Sequence, residues 1–118
     1  MSMQTSRLGR VRIAPSVLAM IVSLTACEVP GVVRMGALSP LNPRTRWNRR
    51  QGRQGVHDGV RLLVRDGAVW VDVSVIARPD SNLHALGALV KARVGAALAR
   101  MVGMPVEEVN VFIDDVAE

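Results

Sequence analysis

The chain has 118 residues, of which 49% are hydrophobic and 3% aromatic, a composition typical of one globular domain with an aliphatic core and not of a disordered chain. The net charge of +5 permits contact with nucleic acid or an anionic membrane but requires neither. A single cysteine, Cys27, excludes an internal disulfide and a multi-cysteine metal site, and two histidines are too few to suggest a metal site without it.

The N-terminal third begins with a polar segment and then turns aliphatic. Residues 1–8 are expected to form a disordered leader, and residues 9–118 a single domain. Residues 9–14 (GRVRIA) alternate arginine with aliphatic side chains, which predicts a short strand. Pro15 suits the first turn of a helix, and Pro30-Gly31 suits its end, so residues 15–29 are predicted to be helical.

The same region also supports an alternative interpretation as a lipoprotein signal. Arg7, Arg10 and Arg12 would be its positive region, and Leu24-Thr25-Ala26-Cys27 resembles a lipidation box. Helical spacing favours a helix that is not cleaved off and that packs into the core through Val17, Leu18, Ile21 and Leu24. The run is too short and too often interrupted by serine and threonine to span a membrane.

A short strand and a long basic segment follow. Residues 32–36 predict the strand. Residues 38–57 lose all periodicity and are predicted to form a flexible surface loop. This loop could contact phosphate or anionic lipid through its arginines, although a solvated loop is the commoner structure. These candidate anion-contact residues are Arg44, Arg46, Arg49, Arg50 and Arg53.

Residues 59–79 (GVRLLVRDGAVWVDVSVIARP) predict a β-hairpin. Residues 60–65 and 69–76 each place aliphatic side chains on one face of the hairpin and a mixed set on the other. Asp66-Gly67 lies between them, and this pair suits a tight turn because both residues tolerate positive φ.

The C-terminal part predicts one more helix and one more strand. Residues 83–102 repeat leucine and valine at helical spacing, with Ser81 or Asn82 as the cap and Gly103 at the end. Residues 107–116 alternate as a strand. The predicted order is β-α-β-β-β-α-β, which favours an α+β two-layer sandwich: a mostly antiparallel sheet of about five strands with two helices on one face.

The mixed sheet face carries the candidate contact residues. Aromatic side chains among arginines could stack bases, so a small RNA-binding domain is one interpretation. The aspartates would oppose a phosphate backbone, so a protein-contact face is favoured, and pairing of Arg with Asp across strands is expected there. No catalytic triad, phosphate loop or metal-ligand spacing occurs, so an enzyme, a cofactor or a small-molecule substrate is not expected. The face is formed by Trp70, Phe112, Arg61, Arg65, Asp72 and Asp114.

Several short motifs in order carry a family resemblance. They are residues 9–14 (GRVRIA), 28–32 (EVPGV), 59–60 (GV), 71–75 (VDVSV), 101–104 (MVGM), Val106, 109–111 (VNV) and Ile113. Together they resemble the alkaline-shock-protein family of bacterial envelope stress response proteins. The Arg-rich segment before the hairpin and the basic net charge depart from the family pattern.

The resemblance implies a small non-enzymatic protein of the bacterial cytoplasm that acts in cell-envelope homeostasis. It implies self-association as a scaffold or adaptor, and some members are held at the membrane by a separate small anchor protein. It implies no cofactor and no catalytic residue. Cytoplasmic placement, with peripheral contact at the inner face of the membrane, is therefore the expectation.

Overall fold

The computed structural model describes residues 12–38 and 52–116, which form two helices and five strands. The helices are α1 (Pro15–Cys27) and α2 (Leu83–Val102), and the strands are β1 (Val32–Met35), β2 (Arg53–His57), β3 (Val60–Arg65), β4 (Ala68–Ala77) and β5 (Val106–Val116).

Two tight turns connect β2, β3 and β4 into an antiparallel meander. Asp66 and Gly67 join β3 to β4 with φ values of 50° and 73°, so the predicted hairpin is confirmed. A second Asp-Gly pair joins β2 to β3, and its Gly59 has φ 74°. Both turns need glycine because an L side chain is strained at these φ values.

Strand β4 is the centre of the sheet because three strands pair with it. β5 lies parallel along one edge of β4, from Val69 to Ala77. Along the other edge of β4, two strands follow one another. β3 pairs antiparallel with the first part of β4, and β1 pairs antiparallel with Val75–Ala77. The sheet is thus mostly antiparallel, and β5 forms one of its outer edges.

Both helices cover the same face of the sheet. The alternate residues Val71, Val73 and Val75 of β4 are completely buried and pack in one cluster with Leu18 of α1 and Val90 of α2. These three residues point to the same face because successive side chains of a strand alternate between its two faces. The predicted two-layer α+β sandwich is confirmed.

Helix α2 has the predicted bounds and caps. The Asn82 side chain accepts a hydrogen bond from the Ala85 amide at 3.0 Å, and Gly103 ends the helix with φ 62°. Its buried face is formed by Leu86, Val90, Val94, Ala97 and Leu98, at the helical spacing that the sequence predicted.

Helix α1 exists as predicted, but it packs on the opposite side from the predicted one. Of the predicted core residues, Leu18 is buried, Ile21 is half-buried, and Val17 and Leu24 are 40% and 59% exposed. The buried side is mainly small: Pro15, Leu18, Ala19, Val22, Ser23 and Ala26. The cause is close packing on β2, where a Cβ on Gly55 would overlap the backbone carbonyl group of Pro15. Small side chains permit that approach.

Two assignments of secondary structure made from the sequence were wrong. Residues 12–14 are not part of a strand, and residues 9–11 lie outside the described range. The predicted loop at 38–57 ends in β2, whose five residues pair with Val60–Val64 of β3. β2 shows no aliphatic alternation because its pairing depends on backbone hydrogen bonds and only Gly55 is buried. Residues 1–8 and 39–51 also lie outside the described range.

Candidate functional site

A buried polar network lies on the sheet face opposite the helices. Asp72 is 0% exposed, accepts a hydrogen bond from Asn110 Nδ2 at 3.0 Å, and lies 3.8 Å from Arg61 Nη2. Asn110 Nδ2 also donates to Glu108 Oε2 at 2.7 Å. The expected cross-strand pairing of Arg61 with Asp72 is confirmed, since the two residues are register partners.

The expectation that this face is open is wrong at its centre. Arg61 is 8% exposed, and Leu63 and Ser74 are completely buried. The Ser74 hydroxyl donates to the Asp114 carboxylate, and Gly36 lies directly over it, because a Cβ on Gly36 would overlap Ser74 Oγ. The buried Arg61 and Ser74 therefore stabilise strand pairing and are not exposed to a partner, whereas Asp114 is exposed.

The aromatic residues of this face are half-buried and separated. Trp70 is the register partner of Glu108, and Phe112 is the register partner of Ser74. The two rings are thus offset by four residues along the strands, about 13 Å. Asp72 lies between them, so they do not form one continuous stacking platform.

The predicted basic residues are dispersed. Arg65 forms an exposed ion pair with Asp66 at the β3–β4 turn, at 3.2 Å. Arg53 is exposed at the start of β2. The other predicted anion-contact residues lie outside the described range and are Arg44, Arg46, Arg49 and Arg50.

The outer side of α1 carries exposed apolar residues, two of which, Val17 and Leu24, were predicted to lie in the core. Val17, Met20 and Leu24 are 40%, 39% and 59% exposed. The three helical residues Val17, Met20 and Leu24, at spacings of three and four, have the spacing of a two-helix contact seam. No residue of α1 carries a charge, so nothing in the helix itself solvates this seam. The signal was present in the sequence, as a narrow heptad-like row beside a row of small residues.

The described residues contain little that could perform acid–base or metal chemistry. Within residues 12–38 and 52–116, no three His, Cys, Asp or Glu side chains are grouped so that they could hold a metal ion. Desolvation, and secondarily the Asp58 carboxylate, raise the pKa of the Cys27 thiol above its ordinary value. Cys27 is therefore a protonated, weakly nucleophilic thiol at neutral pH.

Comparison of the sequence with known protein families shows which family the chain belongs to. Residues 3–118 match the alkaline shock protein 23 family, which has a cell envelope-related function. The chain belongs to this family. A relative with 27% identity over 113 residues is the uncharacterized protein YqhY of Bacillus subtilis strain 168, and the match covers 96% of this chain and 81% of that protein. The predicted family resemblance is therefore confirmed.

Solved structures with a similar fold come from MamM CTD. A zinc form has a TM-score of 0.53 at 16% identity and covers 86% of this chain and 85% of that one. A manganese form has the same TM-score at 19% identity and covers 84% of this chain and 80% of that one. This likeness shows the α+β fold alone. In the described part of this alkaline-shock-family chain, neither helix has the length and apolarity that crossing a membrane requires.

Proposed function

We propose that this protein is a non-enzymatic, self-associating scaffold or adaptor that acts at the cell envelope. Family membership supplies the envelope-related function. The observation that carries self-association is the charge-free apolar seam on the outer side of α1. Exposed apolar side chains in a row favour a protein contact, because single scattered ones are normal but contiguous ones are not.

The partner that best fits the seam is the α1 helix of a second copy. In an antiparallel pair centred on Met20, Met20 meets Met20 of the other copy, and Val17 lies near Leu24. The same arrangement places the exposed Arg12 of one copy beside the exposed Glu28 of the other, at both ends of the contact. A two-fold contact of this kind is self-complementary in shape and in charge.

The seam alone supports only weak association. Burying the remaining exposed fractions of its three residues contributes about 3 kcal/mol per copy, at about 2 kcal/mol for a whole aliphatic side chain. Association costs about 4 to 15 kcal/mol in lost freedom of motion. We therefore expect a reversible dimer in free solution only at millimolar or higher concentration, strengthened wherever many copies are gathered on one surface.

Sedimentation velocity of purified variants tests this surface. Leu24→Arg should abolish the rise of the sedimentation coefficient with protein concentration. Leu89→Arg, which also places a charge on an exposed helical leucine, should leave that rise unchanged. Arg12→Glu alone should weaken the dimer, and Arg12→Glu combined with Glu28→Arg should restore it. Association that survives Leu24→Arg would refute the α1 contact.

Trp70 and Phe112 remain a second proposed contact, suited to a different partner such as a small membrane-anchor protein. Trp70→Ala should reduce capture of that partner, and truncating such an anchor typically costs about 2 kcal/mol. Single-stranded RNA is the alternative ligand and is disfavoured by Asp72 and Asp114 on the same face. Submicromolar RNA binding at physiological salt that Trp70→Ala abolishes would favour the RNA-binding function instead.

We place the protein in the cytoplasm, with peripheral contact at the inner membrane face. This placement is supported by α1, because its Leu18, Ala19 and Val22 pack into the core. A lipoprotein cleavage before Cys27 would remove these three core residues. The intact mass of protein from its native host tests the placement. A mass that begins at a lipid-modified Cys27 would contradict it.

A further inference from the structure

The outer edge of β5 is the longest edge in the described part of the sheet. Eleven residues, Val106–Val116, pair with β4 on one side, and within residues 12–38 and 52–116 no strand pairs with the other side. Such an edge presents a row of backbone donors and acceptors that can bind another extended chain. Half-buried Val109 and Val111 continue the core to this edge.

A groove runs beside this edge, between β5 and the outer side of α2. Its volume is about 600 Å³, and its walls are mainly small residues of α2 and the valines at the start of β5. The apolar and small lining residues are Ala88, Ala92, Gly95, Ala96, Val106 and Val109, and the lining is completed by Lys91, Glu107, Glu108 and Asn110. Nothing lies within 4 Å of where a Cβ on Gly95 would be, so the groove has room for side chains that the chain itself does not supply.

The charge of β5 selects the occupant. Glu107, Glu108, Asp114 and Asp115 are exposed, and β5 contains no basic residue, although the whole chain has a net charge of +5. Antiparallel pairing of β5 with a second copy, centred on Val111, would set Glu107 opposite Asp115 and Glu108 opposite Asp114. Like charges in directly opposed positions destabilise a strand pair, so a second copy is a poor occupant.

We infer that β5 and the groove bind an extended, basic segment of a partner protein by adding it to the sheet. Main-chain hydrogen bonds to β5 supply affinity, and alternate side chains supply specificity. Aliphatic side chains of the segment enter the groove under α2, against its alanines and Val109. The basic side chains then lie on the opposite face, beside Glu108 and Asp114. This surface is separate from the α1 seam, so an adaptor could use both at once.

The probe for this inference is an eight-residue synthetic peptide that alternates valine and arginine. Added to the ¹⁵N-labelled full chain, it should shift the amide resonances of β5 and of α2 between Ala88 and Ala96, and it should slow hydrogen exchange of the outward β5 amides. The matched peptide that alternates valine and glutamate should not bind. A peptide whose central valine is proline should bind more weakly, because proline removes a backbone donor.

Two variants locate the site on the protein. Glu108→Arg should weaken peptide binding about tenfold, whereas Glu28→Arg, the same charge change on the exposed end of α1, should leave it within about twofold. Ala92→Phe should fill the groove and also weaken binding, with its thermal melt showing that the fold is retained. The inference is overturned by equal binding of the glutamate peptide, by shifts that lie over α1 and not over β5, or by no binding of the arginine peptide at about 1 mM.

Discussion

Val73 offers the sharpest test of the sheet register, because its side chain is completely buried between the cross-strand partners Val60 and Val111. Val73→Asp removes about 2 kcal/mol of apolar burial. It also forces a carboxyl group into a site that admits only its neutral form. Holding an aspartate protonated at pH 7 costs about 4 kcal/mol, since its unfolded pKa is about 3.9. The total of about 6 kcal/mol rivals the whole stability expected for a domain of this size.

The effect should depend on pH in a defined direction. Burial raises the pKa of the introduced carboxyl group in the folded state, so the folded state binds more protons than the unfolded state between about pH 4 and that raised pKa. The loss relative to the native sequence should therefore grow as pH rises and should shrink by about 4 kcal/mol when pH falls from 7 to 4.

Urea denaturation followed by circular dichroism measures both quantities. Val56→Asp is the matched control, because Val56 is a strand valine that is 68% exposed, and its substitution should cost no more than about 0.5 kcal/mol. If Val73→Asp leaves no measurable transition at pH 7, Val73→Ala should still unfold cooperatively with a loss of about 2 kcal/mol. Equal losses in Val73→Asp and Val56→Asp, or a loss in Val73→Asp that does not change with pH, would refute the register.

Three further changes have defined outcomes. Gly95→Ala should stabilise the chain by about 0.5 to 1 kcal/mol in thermal melts, because the added methyl meets open space and the unfolded chain loses freedom. Ser74→Asp should lower the melting temperature, although an open face would tolerate it, because a second carboxylate would be buried against Asp114. The melting temperature should recover below about pH 4, where carboxyl groups are protonated. Alkylation of Cys27 at pH 8 should be slower in the folded than in the urea-unfolded chain, because burial and Asp58 raise its pKa; equal rates would contradict this.

The pattern of side chains predicted the element types well and their exposure less well. Alternation in β4 correctly assigned Val73 to the helix-covered face. It also assigned Asp72 to the other face, but it could not predict that Asp72 would be completely buried, since period-two alternation separates two faces without saying what covers each.

The inverted orientation of α1 has a different cause. Hydrophobic periodicity ranks sides by apolarity, and it favoured the side with Val17 and Leu24. The structure selects the side that permits the closest approach to Gly55, which is the side with Ala19 and Ser23. Steric fit therefore overrides apolarity, and the larger side chains remain outside as the candidate contact seam.

Strand β2 was missed although the signal for its turn was present. Asp58-Gly59 is the same dipeptide as Asp66-Gly67, but the run before it lacks β-branched alternation, so only the second pair was interpreted as a hairpin turn.

The end-to-end arrangement around β4 also bears on the order in which the chain folds. The β3–β4 hairpin closes across a two-residue turn, whereas β5 can pair with β4 only after α2 has crossed the sheet, because the two strands are parallel. Contacts between residues near in sequence form at the lowest cost in loop entropy, so the hairpin should be structured in the transition state and β5 should dock afterwards. Stopped-flow kinetics should then show that Leu62→Ala slows refolding, whereas Val111→Ala mainly accelerates unfolding.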